Sequence, residues 1–195
     1  MIFINDLDED INSHILKFAD DTKLLKEVRN SADSSQLQAD LDKLVLWAQK
    51  WQMEFNVDKC KVVHVGNSDD GSTYYMEGSE LTKVSCEKDL GVWISDDMKC
   101  SKQCMHAFNK ATGLLGMIKR TIRYIKDTRV MMSLYKTLVR PHVEYCVSAW
   151  NPHYIKDLIE KVQRRLTKMI NNMEGKTYEE RLQCLKLLTV EEEKK

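Results

Sequence analysis

Proline is scarce in this chain, with two residues in 195, at Pro141 and Pro152. Alongside a hydrophobic content of 43%, that scarcity excludes a disordered, proline-rich protein. It leaves a folded chain with room for one medium domain or two small ones and enough length to bury a core. Long apolar runs are missing too. No segment approaches the ~18 apolar residues of a membrane span, and no N-terminal stretch resembles a signal peptide, so no membrane partner is expected. There is no glycine-rich phosphate loop, no nucleophile–histidine–acid pattern and no internal repeat. The cysteines Cys60, Cys86, Cys100, Cys104, Cys146 and Cys184 are scattered. That fits a reduced intracellular compartment, nucleus or cytoplasm, better than a disulfide framework. Cys100 and Cys104 with His106 lack the second ligand pair that a closed zinc site needs.

Net charge is absent as well, but the zero hides a polarity. Residues 1–98 carry 10 Lys and Arg against 20 Asp and Glu, residues 99–170 carry 15 against 4, and the last 25 carry 5 against 6. One reading is two halves that dock on each other. The other is a basic surface for a polyanion beside an acidic one suited to metal. Charged side chains mostly stay in water and attract only weakly there, which favours the second.

The hydrophobic pattern predicts an α+β protein. Apolar residues recur at three- and four-residue steps from Gln36 to Trp51 (Leu37, Leu41, Leu44, Ala48, Trp51), an amphipathic helix led by the polar connection Ser31–Ser35. Short strands are expected at Val62–Val65, Tyr74–Met76 and Leu90–Ile94, with Asp69-Asp70-Gly71 in a loop. From Ser101 the pattern is helical. One stripe runs Ala107, Ala111, Leu114, Leu115, Ile118. A second helix, capped by Asp127 or Thr128, shows Val130, Leu134 and Leu138. Pro141 breaks or restarts it, and Tyr145 to Trp150 continues it. A last helix carries Ile155, Leu158, Ile159, Val162, Leu166 and Ile170. Boundaries follow at 1–98 (mixed), 99–172 (helical bundle) and 173–195 (C-terminal tail). Trp47, Trp51, Trp93 and Trp150 sit in apolar surroundings and are expected in the core.

The most informative stretch is Phe18-Ala19-Asp20-Asp21, between Ser13-His14-Ile15-Leu16-Lys17 and Thr22-Lys23-Leu24-Leu25. Apolar flanks with acids at the bend predict a β-hairpin carrying two carboxylates at its tip. Adjacent acids repel unless a cation neutralises them, and Mg²⁺ takes oxygen ligands of this kind. An ordinary polar turn is the plainer reading.

That hairpin resembles the second metal-binding strand of the reverse transcriptases of non-LTR (LINE-type, jockey-like) retrotransposons. The similarity runs in order through Ile4-Asn5-Asp6-Leu7, Leu37 to Leu44, Trp47-Ala48-Gln49-Lys50-Trp51, Phe55 to Lys61, Lys88-Asp89-Leu90-Gly91-Val92 and Leu138 to Tyr145, covering about residues 3 to 172. The resemblance implies a partial polymerase palm followed by a helical thumb, acting on an RNA template and a DNA primer with Mg²⁺. It assigns metal binding to Asp20, with Asp21 as its neighbour. Phe18 and Ala19 would pack the hairpin and leave room for the primer end, and Lys59 would approach the leaving pyrophosphate. Lys119, Arg120, Arg123, Lys161, Arg164 and Arg165 would meet phosphates. The family carries its other essential palm Asp upstream of the Ile-Asn-Asp-Leu stretch, which only Met1, Ile2 and Phe3 precede here. The expectation is therefore a polymerase C-terminal part, inactive alone, whose partner is the N-terminal half. A nucleic-acid-binding remnant without catalysis and a decayed reading frame are the alternatives.

Overall fold

The computed structural model describes residues 4–66, 71–121, 127–149 and 152–187. It is a mixed α and β structure of small two-stranded sheets and helices. The chain divides into two compact units: Met1–Glu87 with Ser95–Asp97, and Lys88–Ile94 with Met98–Lys195.

In the first unit, β1 (His14–Phe18) and β2 (Asp21–Leu25) form an antiparallel hairpin in which Phe18 faces Asp21 and His14 faces Leu25. The two-residue loop is Ala19-Asp20. Helix α1 (Ser31–Lys50) follows. It starts five residues earlier than the apolar pattern implies, because Asn30 caps it by accepting from the amides of Ala32 and Asp33. The serine-rich stretch read as a connection is thus its first turns. Leu44 and Ala48 are buried, and Leu44 joins Leu7, Tyr74, Met76 and Leu81 in the core, with Ile15 and Leu24 packed against it. Trp51, expected inside, is 43% exposed where the helix ends. Trp150 and the Asp69-Asp70 pair lie outside the described residues.

The remaining strands are shorter than the sequence suggests. They are β3 (Lys61–Val62), β4 (Tyr75–Met76), β5 (Ser79–Glu80) and β6 (Thr82–Lys83), with β3 parallel to β6 and β4 antiparallel to β5. Gln38 of α1 holds β4 by donating to the Tyr75 carbonyl at 2.9 Å and accepting from the Tyr75 amide at 2.8 Å. Strands β7 (Cys86–Asp89) and β8 (Val92–Ser95) pair across a two-residue turn, Leu90-Gly91. Both turn residues have positive φ, 44° and 87°, the geometry that favours glycine at the second position. Leu90 and Gly91, expected within a strand, therefore make its turn.

The second unit is helical beyond β8. Helix α2 (Ser101–Thr121) buries Cys104, Ala107, Ala111, Leu115 and Ile118 on one stripe, and packs on α5 (Pro152–Met169), which buries Val162 and Leu166. Between them run α3 (Thr128–Leu134), capped by Asp127, a π-helical turn over Tyr135–Val139, and α4 (Arg140–Glu144). Its inward face is Met131, Tyr135, Val139 and Val143. This is one position on from the expected stripe, whose Val130 and Leu138 are 37% and 40% exposed. Pro141 has no N–H to donate, and the Arg140 amide reaches back five residues to Tyr135. The wide turn accommodates the proline inside a continuous helical path. The helix ends at Tyr145, whose backbone is extended, so the expected continuation to Trp150 is not seen among described residues. Past residue 173, within the stretch read as a tail, lies α6 (Tyr178–Leu185). Its N-terminus is closed by a capping box of Thr177 and Glu180. None of the six cysteines is in a disulfide.

Candidate functional site

The hairpin tip is built by a turn that puts both acids in solvent. Ala19, the first loop residue, has φ 56°, where an L-residue pays a steric penalty and glycine does not. Asp20 completes the loop and Asp21 opens β2, and both are exposed. Among the described residues neither carboxylate has a hydrogen bond or ion pair. Phe18, expected to pack the hairpin, is 64% exposed. It sits with Leu16 on the face turned away from the core, while Ile15 and Leu24 face inward.

What holds this hairpin in place is a buried carboxylate that the sequence reading passed over. Asp40, on α1, has no exposed surface. Its Oδ2 accepts from the Ser13 amide at 2.8 Å and the Ser13 hydroxyl at 2.6 Å. Its Oδ1 accepts from the Asn12 amide, Gln36 Nε2 and Lys43 Nζ, each at 3.3 Å. Burial by itself pushes the acid upward, but hydrogen bonds from Ser13, Asn12 and Lys43 outweigh it and hold Asp40 below the usual aspartate range. Asp40 therefore fixes the residues just before β1. The signal was in the pattern, since an acid at position 40 falls on the stripe of Leu37, Leu41 and Leu44, and a buried acid needs partners.

Two further ties brace the same region. The Trp47 indole donates to Asp6 Oδ1 at 3.0 Å, and Leu7 beside it is 2% exposed. Lys17 of β1 donates to the carbonyls of Ile4 and Asn5 and to Asp8 Oδ1 at 2.5 Å. That hydrogen bond lowers the pKa of Asp8. The Ile-Asn-Asp-Leu segment, α1 and the hairpin thus form one braced piece, with Asp20 and Asp21 at its free end.

Lys59 stands elsewhere, exposed in a short 3₁₀ turn over Val57–Lys59. No hydrogen bond or ion pair connects it to the hairpin among the described residues. Among those residues, too, no group of three or more His, Cys, Asp or Glu could enclose a metal ion. Asp20 and Asp21 suit a Mg²⁺ that keeps water or phosphate oxygens as its other ligands, and do not suit a closed protein cage.

The basic candidates divide into two kinds. Lys119 and Arg120, in the last turn of α2, and Lys161 on α5 are exposed. Arg164 and Arg165 are exposed as well, as their place off the apolar stripe predicts, but they also make contacts within the fold. Arg164 pairs with Glu160 at 3.3 Å and lies 4.5 Å from the centre of the Tyr178 ring. Arg165 donates to Thr112 Oγ1 at 3.1 Å and lies 5.1 Å from the centre of the Phe108 ring, joining α5 to α2. Arg123 lies outside the described residues. A second aromatic neighbourhood has Trp93 beneath Lys102, at 4.1 Å, and edge-on to His106, at 6.2 Å. No described helix is long and apolar enough to cross a membrane.

No family model, curated protein or solved structure matches this chain.

Proposed function

We propose that this chain is the C-terminal palm and the thumb of a retrotransposon-type reverse transcriptase, an RNA-directed DNA polymerase. The observation that carries the reading is the hairpin tip. Two adjacent exposed carboxylates stand at the tip, Asp20 on the two-residue loop and Asp21 at the start of β2, and the segments that brace that tip are the ones whose sequences resemble the family. Asp20 would be the metal-binding acid, Asp21 its neighbour, and Mg²⁺ the cation. When bound, the metal ion supplies charge neutralisation for nucleotidyl transfer. The chain's own part is to hold the two acids at a fixed position through Asp40, Asp6 and Lys17.

A two-metal clamp needs carboxylates from more than one strand, and the hairpin offers one. The chain alone should therefore give no primer extension; an RNA template, a DNA primer and a segment that supplies a further carboxylate would be its partners. Mn²⁺ titration followed by NMR tests the hairpin itself. Broadening should begin at the amides of Asp20 and Asp21 and vanish in Asp20→Asn/Asp21→Asn. Broadening that starts elsewhere would refute the assignment.

A non-catalytic nucleic-acid-binding role is favoured by a separate observation, the excess of 15 basic over 4 acidic residues in 99–170. Exposed Lys119, Arg120 and Lys161 would neutralise phosphates without reading sequence. Replacing one of them should lower the slope of log affinity against log salt by about one unit. Arg165→Ala should act differently and destabilise the α2–α5 packing.

A further inference from the structure

We propose that Arg181 is the anchor of a carboxylate-binding site where α6 packs on α5. The inference stands on the second unit alone and is independent of the polymerase reading. Helix α6 turns Tyr178, Arg181, Leu182 and Leu185 to one side, because residues three and four apart share a helix face. That side faces inward. Tyr178 and Leu182 are buried, Leu185 is partly buried, and Leu187 and Met132 join the same apolar cluster. Arg181 is only 8% exposed, so an arginine occupies a place in the packing that an apolar residue would ordinarily fill.

A guanidinium keeps its charge at any pH the protein meets, and burying a charge is costly unless it is paired and hydrogen-bonded. Long basic side chains usually escape by running their stem along apolar surface and setting the head in water. The small exposure of Arg181 gives little of that escape, and its Nε is buried with no acceptor. Among the described residues its side chain makes no hydrogen bond or ion pair.

The polar groups around it are committed elsewhere. The Tyr178 hydroxyl donates to Oε1 of the buried Gln163 at 3.0 Å. Arg164 lies over the Tyr178 ring, and Glu160 is its ion-pair partner. Glu180 closes the capping box by accepting from the Thr177 amide at 2.7 Å. Glu179 precedes Arg181 by two residues, which sets it on another face of α6, and it stands in solvent. The charge that answers Arg181 is therefore a ligand's.

Charge, shape and surroundings give the class of that ligand. One guanidinium balances one negative charge, and its fork of N–H donors fits both oxygens of a carboxylate at once. A phosphate ester near neutral pH carries about −1.5 to −2, and the exposed Glu174, Glu179 and Glu180 nearby in the chain would repel the excess. The apolar company of Arg181 suits a short hydrocarbon stem. The ligand is accordingly an aliphatic carboxylate, free or carried on an acidic side chain.

The test is titration of the full chain, with arginine labelled for NMR, at constant salt. Butyrate stands for the free carboxylate and N-acetylglutamate N-methylamide for the same group on a peptide, and the probe that saturates at lower concentration names the source. Either should move the Arg181 Nε–H signal downfield as it gains an acceptor, and should raise the melting temperature. Butyramide, the neutral isostere, should do neither, and inorganic phosphate should not displace butyrate. Arg181→Lys loses the fork and should weaken butyrate binding at least tenfold, roughly 1.4 kcal/mol. Arg181→Met keeps the stem and removes the unanswered charge. It should abolish the response and, without ligand, melt higher than the wild type. An Arg181 signal indifferent to both carboxylates would overturn the proposal, as would an equal response to butyramide or displacement of butyrate by phosphate. An Arg181→Met chain that melts lower would overturn it as well, by showing that the guanidinium already has its counter-charge within the fold.

Discussion

Replacing Asp40 by alanine removes the acceptor that holds the start of β1 against α1. In the folded chain Asp40 Oδ2 takes both donors of Ser13, at 2.8 and 2.6 Å, and Ser13 is itself only 7% exposed. Without the carboxylate, two buried donors lose their partner at once, each costing about 1–3 kcal/mol. Asn12 and Lys43 are nearer solvent, so water can replace Asp40 for them at little cost. The expected loss is about 3–5 kcal/mol, a large share of the roughly 5–15 kcal/mol that keeps a domain folded. Ser13→Ala removes only the hydroxyl bond and should cost about 1–2 kcal/mol. Because the two residues share one interaction, their double variant should fall short of the sum of the single effects by at least about 0.5 kcal/mol. Native-state hydrogen exchange of the β1 and β2 amides reads each loss where it occurs. A change under about 1 kcal/mol for Asp40→Ala, or strict additivity with Ser13→Ala, would refute the reasoning.

Asp40 also sets an acid limit. A folded-state pKa held below the unfolded value of about 3.9 gives stability that is present above that pH and lost as pH falls through the folded value. Protection of the β1 amides should therefore be level from neutrality to about pH 4 and fall below it, and Asp40→Asn should flatten that fall. Gly91→Ala should destabilise the β7–β8 turn by about 1–3 kcal/mol. A Cβ at φ 87° would also lie 3.0 Å from Tyr145 Cε1, and thermal melting reads the loss. Tyr145→Phe, which removes the hydroxyl that bonds the Leu90 carbonyl at 2.7 Å, should cost about 1 kcal/mol. Ala19→Gly should do the reverse and stabilise the hairpin by about 0.5–1 kcal/mol, because glycine accepts the left-handed conformation there; a destabilised hairpin in hydrogen exchange would contradict the assigned turn.

The sequence was most legible where local chemistry and packing agreed. The hairpin with acids at its bend, the helix containing Leu44 and Ala48, and the stripe of α2 from Ala107 to Ile118 all follow from spacing alone. It was less legible where two stripes compete. Val130-Leu134-Leu138 and Met131-Tyr135-Val139 have the same period, and the structure buries the second, which runs on to Val143 where the first meets His142. Leu90-Gly91 reads as strand by hydrophobicity, yet its two positive φ values make it a turn. The hydrogen bond from the Tyr145 hydroxyl to the Leu90 carbonyl joins two stretches 55 residues apart, a relation no local pattern contains. The same holds for the site. The tip acids are visible in the sequence, whereas their brace at Asp40 looks like one more polar residue on a helix until Ser13 is placed beside it.

The central claim, that Asp20 belongs to a polymerase site completed by another segment, is tested most directly by reconstitution. The measurement is primer extension on an RNA template with Mg²⁺, using this chain alone and then joined behind a reverse transcriptase fingers and upper-palm segment of the non-LTR type. The account predicts no product from the chain alone, and extension from the joined protein that Asp20→Asn abolishes while Lys161→Ala only makes it more sensitive to salt. Extension that survives Asp20→Asn, or product from the isolated chain, would contradict it.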